Sequence, residues 1–99
     1  NTAASNTEII NNVCAPKKVP VIAGEEGICK GCGVATLSIS YYDLGYATGK
    51  MAVKVLKGEA DISTLAIGYA ETQTPKYNKA ICDALGITPL EGYVAIEDN

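Results

Sequence analysis

The sequence predicts an α/β fold built from βα units on a mainly parallel sheet. Two observations support this: short apolar runs of strand length alternate with helical patterns, and glycine-rich stretches separate these segments. Such alternation is typical of a parallel sheet covered by helices. The chain has 99 residues and 47% apolar residues, which corresponds to one small globular domain at most.

The first predicted element is a helix over residues 3–14. Apolar residues recur within it, and Pro16 marks its end. Asn1 or Thr2 is the expected N-cap, because short polar side chains accept hydrogen bonds from the first helical N–H groups.

Two strands are predicted next, separated by a loop. The nearly all-apolar run at residues 19–23 is typical of a strand covered on both faces, with Pro20 acceptable only near its start. Residues 24–33 contain four glycines and are predicted to form a loop. Residues 34–40 alternate between apolar and polar side chains and predict the second strand.

The strongest helical pattern covers residues 42–57. Ser40 and Asp43 form a Ser-x-x-Asp capping box at its start, and Gly58 closes it. Its apolar side chains are spaced three or four residues apart, as expected for one buried helix face.

The last third of the chain predicts three further elements. Residues 65–70 suit a strand, a helix is expected from Pro75 or Lys76 to Leu85, and residues 92–96 suit a short final strand.

Composition excludes several classes of function. The chain has no His, so neither a Ser-His-Asp nor a Cys-His catalytic group can be built from it alone. All eight basic residues are Lys and the net charge is −3, which argues against nucleic-acid binding. No apolar run approaches the ~18 residues that a membrane-spanning helix needs. We therefore expect no enzyme activity and no cofactor.

Candidate binding residues follow the predicted strands, because ligands of open α/β sheets collect at the carboxyl ends of strands. Glu25 and Glu26 come directly after the first strand, and Tyr41 and Tyr42 follow the second. The two carboxylates are either an acid/base pair or, in the simpler interpretation, a solvated group beside one that binds an amine or caps a helix. The tyrosines either contact a ligand or pack in the core.

The sequence Cys29-Lys-Gly-Cys32 is a CxxC motif with three possible interpretations. A redox dithiol is expected at a helix N-terminus, whereas no helix is predicted here. A metal site needs two more thiolates, and Cys14 and Cys82 are distant in the sequence. The third interpretation is structural: free thiols in a loop or a local disulfide.

Three segments carry a family resemblance: residues 18–27 (KVPVIAGEEG), 33–45 (GVATLSISYYDLG) and 51–58 (MAVKVLKG). With them, the chain from Asn1 to about Ile87 resembles the ABC transporter substrate-binding proteins of the tryptophan/tyrosine type. These belong to the type I periplasmic-binding-protein superfamily. The cysteines at positions 29 and 32 depart from the family pattern.

The resemblance implies two α/β lobes joined by three hinge crossings, with the ligand between the lobes. It implies that residues 1–40 belong mainly to the C-terminal lobe. Residues 41–99 are expected to supply a hinge crossing and elements that pack on an N-terminal lobe, which this C-terminal part lacks. The ligand-binding residues implied by the resemblance are Asn1, Thr2, Glu25, Glu26, Ser40, Tyr41 and Asp43.

The function implied is solute binding for a bacterial ABC importer, without chemistry and without a metal. The ligand is expected to be an amino acid, and the resemblance suggests an aromatic one. The protein is expected to be extracytoplasmic, either in the periplasm or lipid-anchored at the cell surface, and to deliver the ligand to a membrane permease. The isolated fragment is expected to self-associate through an apolar face formed by Leu44, Met51 and Val55. The alternatives are the ligand-sensing domain of a LacI-like transcription regulator and a CxxC-dependent redox or metal protein.

Overall fold

The computed structural model describes residues 1–97 and divides into two compact units. The first unit contains residues 1–38 together with the described residues from Thr74 onward, and the second contains residues 39–73. A 3-10 turn at Ala4–Asn6 precedes the other elements, which are α1 (Thr7–Cys14), β1 (Ile22–Ala23), α2 (Glu26–Cys32), β2 (Ala35–Ser38), α3 (Tyr41–Leu56), β3 (Thr74–Tyr77), α4 (Lys79–Leu85) and β4 (Val94–Ala95).

The first unit is built around a sheet with the strand order β1-β2-β3-β4. β1 pairs with β2 in parallel, β2 pairs with β3 in antiparallel orientation, and β3 pairs with β4 in parallel. The α/β prediction is confirmed. The antiparallel pair in the middle means that the last two strands run opposite to the first two.

One face of this sheet forms the core. Ala23 and Thr36 lie opposite each other on β1 and β2, and they are 6% and 1% exposed. α2 packs against β1, β2 and β3 and buries Cys29 and Cys32. Since successive side chains of a strand point to opposite faces, the neighbours of these residues lie on the other face. There Ile22 is 74% exposed.

α2 replaces the loop predicted for residues 24–33. Its N-cap is Glu25, whose carboxylate accepts hydrogen bonds from the backbone N–H groups of Gly27, at 3.0 Å, and Ile28. These bonds satisfy two of the donors that a helix N-terminus leaves open. The prediction was wrong because it weighted glycine propensity, whereas burial of Cys29 and Cys32 against the sheet stabilises the helix.

One of the two glycines within α2, Gly31, lies where α1 and α2 meet. A methyl group at Gly31 would lie 2.5 Å from Thr7 Cβ, so α1 and α2 approach each other closely there. The same glycine that weakens helix propensity therefore permits the packing of the two helices.

The N-terminal helix differs from its prediction in the cap. The 3-10 turn is preceded by Ala3, and no side chain caps either this turn or α1. Asn1 and Thr2 contribute backbone carbonyls instead: Asn1 O accepts from Ser5 N at 3.0 Å, and Thr2 O accepts from Asn6 Nδ2 at 2.7 Å. The expected side-chain cap by Asn1 or Thr2 is wrong because the first turn closes through these carbonyls.

The region from residue 65 onward contains the largest errors of prediction. Residues 65–70 do not form a strand, and a strand occupies Thr74–Tyr77, where the start of a helix was expected. Pro75 lies in this strand opposite Leu37 of β2. Pairing with β2 decides the structure of this segment, and the helix starts only at Lys79 after the N-cap Asn78.

The boundaries of the remaining elements are close to the predictions. α3 ends at Leu56 against an expected 57. α4 ends at Leu85, as expected, and its C-cap Gly86 has the positive φ of 73° typical of that position. Residues 74–97 belong to the first unit together with residues 1–38. The expectation that residues 41–99 supply a hinge crossing and pack largely on an N-terminal lobe stays a prediction. Residues 98 and 99 lie outside the described residues.

In the second unit, the predicted exposed apolar face of α3 is partly covered. Leu44, Met51 and Val55 are half-buried rather than exposed. A methyl group at Gly68 would lie 2.8 Å from Met51 Sδ, so the segment after α3 packs on this face. No helix within residues 1–97 is both long enough and apolar enough to span a membrane.

Candidate functional site

The candidate site in the first unit lies at one edge of the sheet. β1 and β2 are parallel, so Gly24 after β1 and Ser38 at the end of β2 lie toward the same edge. β3 begins at this edge, because Thr74 pairs with Ser38. Thr74 was not predicted at this edge. The antiparallel pairing of β3 with β2 that places Thr74 beside Ser38 leaves no signal in the local sequence pattern.

Glu25 is the first side chain at this edge, and its carboxylate is engaged by its own helix. Both of its oxygens accept backbone N–H groups at the start of α2. A negative charge at this position is favoured by the helix dipole. Glu25 therefore shapes the loop after β1, in agreement with the capping interpretation of the sequence.

Glu26 makes an ion pair across the unit. Lys76 Nζ on β3 lies 2.9 Å from Glu26 Oε1, and the two side chains are 28% and 39% exposed respectively. Because both groups remain partly exposed, each can also reach a charged molecule from solvent. Lys76 was not among the predicted site residues, since its position beside Glu26 depends on the strand pairing.

The remaining predicted residue pair of the first unit, Asn1 and Thr2, is exposed at the start of the chain. Their backbone carbonyls accept hydrogen bonds from Ser5 N and Asn6 Nδ2 in the first turn, and their side chains face solvent.

The second unit contains Ser40, Tyr41 and Asp43 in the first turn of α3. Ser40 Oγ accepts a hydrogen bond from Asp43 N at 3.2 Å, which confirms the predicted N-cap. Tyr41 is 67% exposed and its neighbour Tyr42 is 79% exposed, so neither ring packs in the core of the unit. Of the two interpretations of this tyrosine pair, core packing is wrong for the described chain.

Asp43 also lines a small cavity of the second unit. The cavity has a volume of about 170 Å³ and is bounded by Asp43, Tyr46, Ala47, Lys50, Glu71 and Thr72. Ligand pockets for small molecules usually measure roughly 300–1,000 Å³. This cavity alone is therefore too small to enclose an amino acid with a large side chain.

A larger, apolar cavity lies on the sheet face opposite α2. It measures about 250 Å³ and is lined by apolar side chains of the sheet and of the segment between α4 and β4, including Ile22, Leu37, Tyr77, Pro89 and Tyr93. Sequence analysis did not predict it, because the segment after α4 reaches this face only through the pairing of β4 with β3.

The CxxC motif lies within α2 rather than in a loop. Burial, followed by the influence of Cys82 and then of Cys32, raises the pKa of the Cys29 thiol to about 11. Burial and Cys14 raise the pKa of Cys32. A thiol is nucleophilic only as a thiolate, so these shifts disfavour a redox dithiol at neutral pH. Within residues 1–97, no group of three or more acidic, Cys or His side chains is arranged to hold a metal ion.

The structure therefore separates the predicted site residues by their tasks. Glu25 and Ser40 cap helices, Glu26 is paired with Lys76, and Tyr41 and Asp43 are exposed. Within the first unit Glu25 and Glu26 lie together at the start of α2, and within the second unit the other three lie together at the start of α3.

The sequence matches a family of known proteins over almost its whole length. Residues 1–96 match the family described as ABC transporter substrate binding protein. A curated relative, a tyrosine-binding protein of Clostridioides difficile (strain R20291), is 37% identical over 60 residues, which are 61% of this chain and 17% of that protein. This chain thus spans about a sixth of the length of this relative.

Two solved structures resemble the chain over almost its whole length. One is the ligand-free, open structure of a substrate-binding protein with adhesive properties from Clostridium difficile, with 32% identity, a TM-score of 0.78, and coverage of 97% of this chain and 33% of that chain. The other is an ABC domain in complex with L-Trp from Streptococcus pneumonia, with 34% identity, a TM-score of 0.77, and coverage of 95% and 34%.

A third solved structure, a conserved domain protein of Vibrio cholerae, shares the fold alone. Its identity is 18%, its TM-score is 0.68, and the match covers 93% of this chain and 41% of that one. The match over residues 1–96 together with the fold shared at above 30% identity leads to one conclusion. The chain belongs to the ABC transporter substrate binding protein family.

Proposed function

We propose that this chain is part of the solute-binding component of an ABC importer and that it binds an aromatic amino acid. The observation that carries the proposal is the family match over residues 1–96. A similar structure contains L-Trp, and a curated relative is a tyrosine-binding protein, which supports an aromatic amino acid as the ligand.

The edge of the sheet in the first unit supplies groups suited to such a ligand. An amino acid has an ammonium group, for which a carboxylate is the natural partner. Glu26 is the better candidate of the two adjacent glutamates, because the Glu25 carboxylate is occupied by the N-terminus of α2. Lys76 is the partner of Glu26 in the free protein and competes with the ligand ammonium for this carboxylate.

We propose Tyr41 and Asp43 as the ligand contacts of the second unit. An exposed tyrosine ring offers a face for stacking on an aromatic ligand and a phenol for hydrogen bonding. Ser40 contributes indirectly, because its hydroxyl caps the helix that carries Tyr41 and Asp43. Asn1 and Thr2, both exposed, complete the set of proposed contacts.

The proposed mechanism is binding without chemistry. The ligand is held between this part of the protein and a second lobe, the lobes close, and the closed form delivers the ligand to a membrane permease. This role requires an extracytoplasmic location, either in the periplasm or anchored to the cell surface by lipid. We propose no catalytic residue for this chain.

Self-association of the isolated fragment is a separate part of the proposal. The α3 face of Leu44, Met51 and Val55 is partly covered. The apolar side chains proposed to drive self-association therefore lie on the sheet face opposite α2, where Ile22 and Leu37 are 74% and 55% exposed. Sedimentation of the fragment at increasing concentration tests this directly. A strictly monomeric fragment at high concentration contradicts it.

The main experiment is isothermal titration calorimetry of the full-length protein against L-tyrosine and L-tryptophan, with glycine and L-glutamate as controls. We expect an aromatic amino acid to bind with a Kd of about 1 μM or lower, which corresponds to roughly 8 kcal/mol. If the protein binds none of these amino acids, the proposal of an amino-acid ligand loses its support.

Two tyrosine variants provide a matched pair. Tyr41→Ala is expected to weaken binding at least tenfold, whereas Tyr42→Ala, which changes an equally exposed neighbouring ring, is expected to leave binding within twofold. Equal effects of the two substitutions argue against a ligand contact at Tyr41.

A further inference from the structure

The chain has four cysteines, and none of them belongs to the proposed solute-binding site. All four are free thiols in the structure. Cys29 and Cys82 are 0% and 2% exposed. They come from different elements, α2 and α4, and are 53 positions apart in the sequence. We propose that Cys29 and Cys82 form a disulfide bond that links α2 to α4.

Contacts around Asn78 place the two cysteines on facing surfaces. Asn78 Nδ2 donates to Cys29 O at 3.2 Å, so the start of α4 rests against the backbone at Cys29. Cys82 N donates to Asn78 O at 3.0 Å, which is the bond of one helical turn. Cys82 therefore lies one helical turn from the residue that contacts the Cys29 backbone.

The two sulfur atoms also contact the same stretch of backbone. Cys82 Sγ donates to Val34 O at 3.4 Å. A methyl group at Gly33 would lie 3.3 Å from Cys29 Sγ, so this sulfur touches the residue just before Val34. Cys29 and Cys82 are both buried and both lie beside the Gly33–Val34 segment.

Electrostatics agree with this proximity. After burial, the charge of an ionised Cys82 is the largest cause that raises the pKa of Cys29. For Cys32 the corresponding neighbour is Cys14. Cys32 also raises the pKa of Cys29, but less than Cys82 does, which agrees with the pairing of Cys29 with Cys82.

The bond forms by two thiol–disulfide exchanges with an external disulfide, such as oxidised glutathione or a disulfide-bearing oxidoreductase. The thiolate of one cysteine attacks the external disulfide, forms a mixed disulfide and releases one thiol. The second cysteine attacks the mixed disulfide and releases the other thiol. The two protons lost by Cys29 and Cys82 end on the two released thiols, and the external disulfide is reduced.

Burial determines when this exchange takes place. Thiolates are scarce at a buried site whose pKa is raised, so oxidation of the folded chain is slow. We expect the bond to form while the chain folds, before α4 covers α2. The inference depends on the proposed extracytoplasmic location only for the supply of oxidant, and refolding with a defined oxidant removes that dependence.

The test uses the full-length protein, refolded with oxidised and reduced glutathione. Remaining thiols are alkylated in denaturant, and the protein is digested and analysed by mass spectrometry without reduction. We expect a peptide pair joined through Cys29 and Cys82 in most of the protein. A second linkage between Cys14 and Cys32 is compatible with the proposal. Alkylation of both Cys29 and Cys82, or a bond of either one to any other cysteine, overturns it.

A stability measurement provides a second readout that does not require a variant to fold. Reduction of the wild-type protein is expected to lower its Tm by about 5 °C or more, since the bond closes a long loop. Cys82→Ala should abolish this sensitivity to reduction, whereas the control Cys14→Ala should keep it. An unchanged wild-type Tm on reduction contradicts the proposal.

The outcomes for the two proposals are separable. A linked peptide in a protein that binds no amino acid leaves the disulfide in place and removes the proposed ligand. If the protein binds an amino acid but yields no linked peptide, the disulfide proposal is wrong and the proposed ligand stands.

Discussion

Glu26 and Lys76 are 50 positions apart in the sequence, and the Lys76 ammonium lies 2.9 Å from the Glu26 carboxylate. This pair joins the start of α2 to the middle of β3. It forms because β3 pairs with β2 in antiparallel orientation, with Lys76 opposite Thr36. The relationship connects the fold of the first unit to the carboxylate proposed to bind the ligand.

Lys76→Met and Glu26→Gln are expected to affect stability and binding differently. Because the pair is partly exposed, either change should cost less than about 1 kcal/mol in the free energy of unfolding. Glu26→Gln should weaken amino-acid binding about tenfold or more, since it removes the carboxylate. Lys76→Met should not weaken the contact of Glu26 with the ligand ammonium. Urea denaturation and calorimetry of the full-length protein measure the two effects.

Glu91→Gln is the control for this pair, because Glu91 is an exposed carboxylate of the same unit. Equal binding by Glu26→Gln and by Glu91→Gln would show that Glu26 does not contact the ligand.

Asn78 is expected to be the most important polar side chain for the first unit. Its Oδ1 accepts from Ile81 N at 3.1 Å as the N-cap of α4, and its Nδ2 donates to Lys30 O at 2.9 Å and to Cys29 O. Asn78→Ala should lower the free energy of unfolding by about 2–3 kcal/mol, from the lost cap and the two lost hydrogen bonds to α2. Chemical denaturation measures this loss.

Asn78→Asp separates the two tasks of Asn78. An aspartate keeps the cap but cannot donate to the carbonyls of α2, so it should be destabilising as well. Asn12→Ala, an exposed asparagine of α1, should have an effect within about 0.5 kcal/mol. Full stability of Asn78→Asp would mean that the bonds to α2 contribute nothing.

Gly31 is expected to tolerate no side chain. A Cβ atom at this position would lie 2.5 Å from Thr7 Cβ and Thr7 Oγ1, so Gly31→Ala forces α1 and α2 apart. We expect a loss of roughly 1–3 kcal/mol, the usual cost of overpacking. At Gly24 nothing lies within 4 Å of the equivalent methyl, and Gly24→Ala should therefore be close to neutral in the same thermal melts. Similar Tm values for the two variants contradict the close approach.

The reduced protein is expected to lose stability above pH 9. The pKa of Cys29 is about 11 in the folded chain and 9.0 for an ordinary thiol, so the unfolded chain releases this proton first. The folded state is therefore favoured below pH 9, and this contribution is lost as the pH rises toward 11. One pKa unit corresponds to about 1.4 kcal/mol, so the difference of about two units corresponds to a loss of at most roughly 3 kcal/mol.

Denaturation of the fully reduced protein at several pH values measures this loss. Cys29→Ala should flatten the alkaline part of the profile, and Cys14→Ala should leave it unchanged, because Cys14 is partly exposed. An alkaline profile that does not change in Cys29→Ala contradicts the assignment to this thiol.

The amino-acid sequence by itself determined the elements whose signals are local. α1 and α3 follow from helical spacing, the start of α3 follows from the Ser40 cap, and the end of α4 follows from Gly86. The α/β class and the family also follow from residue patterns that are read along the chain.

Only the tertiary structure decided the rest. α2 forms despite its glycines because the sheet buries its cysteines, and Thr74–Tyr77 is a strand despite Pro75 because β2 supplies its partner. Local propensities amount to about 1 kcal/mol or less for each residue other than proline, and burial against a partner outweighs them. The contacts of Lys76 and Asn78 with α2 join residues about 50 positions apart, a distance at which no local pattern in the sequence specifies a partner.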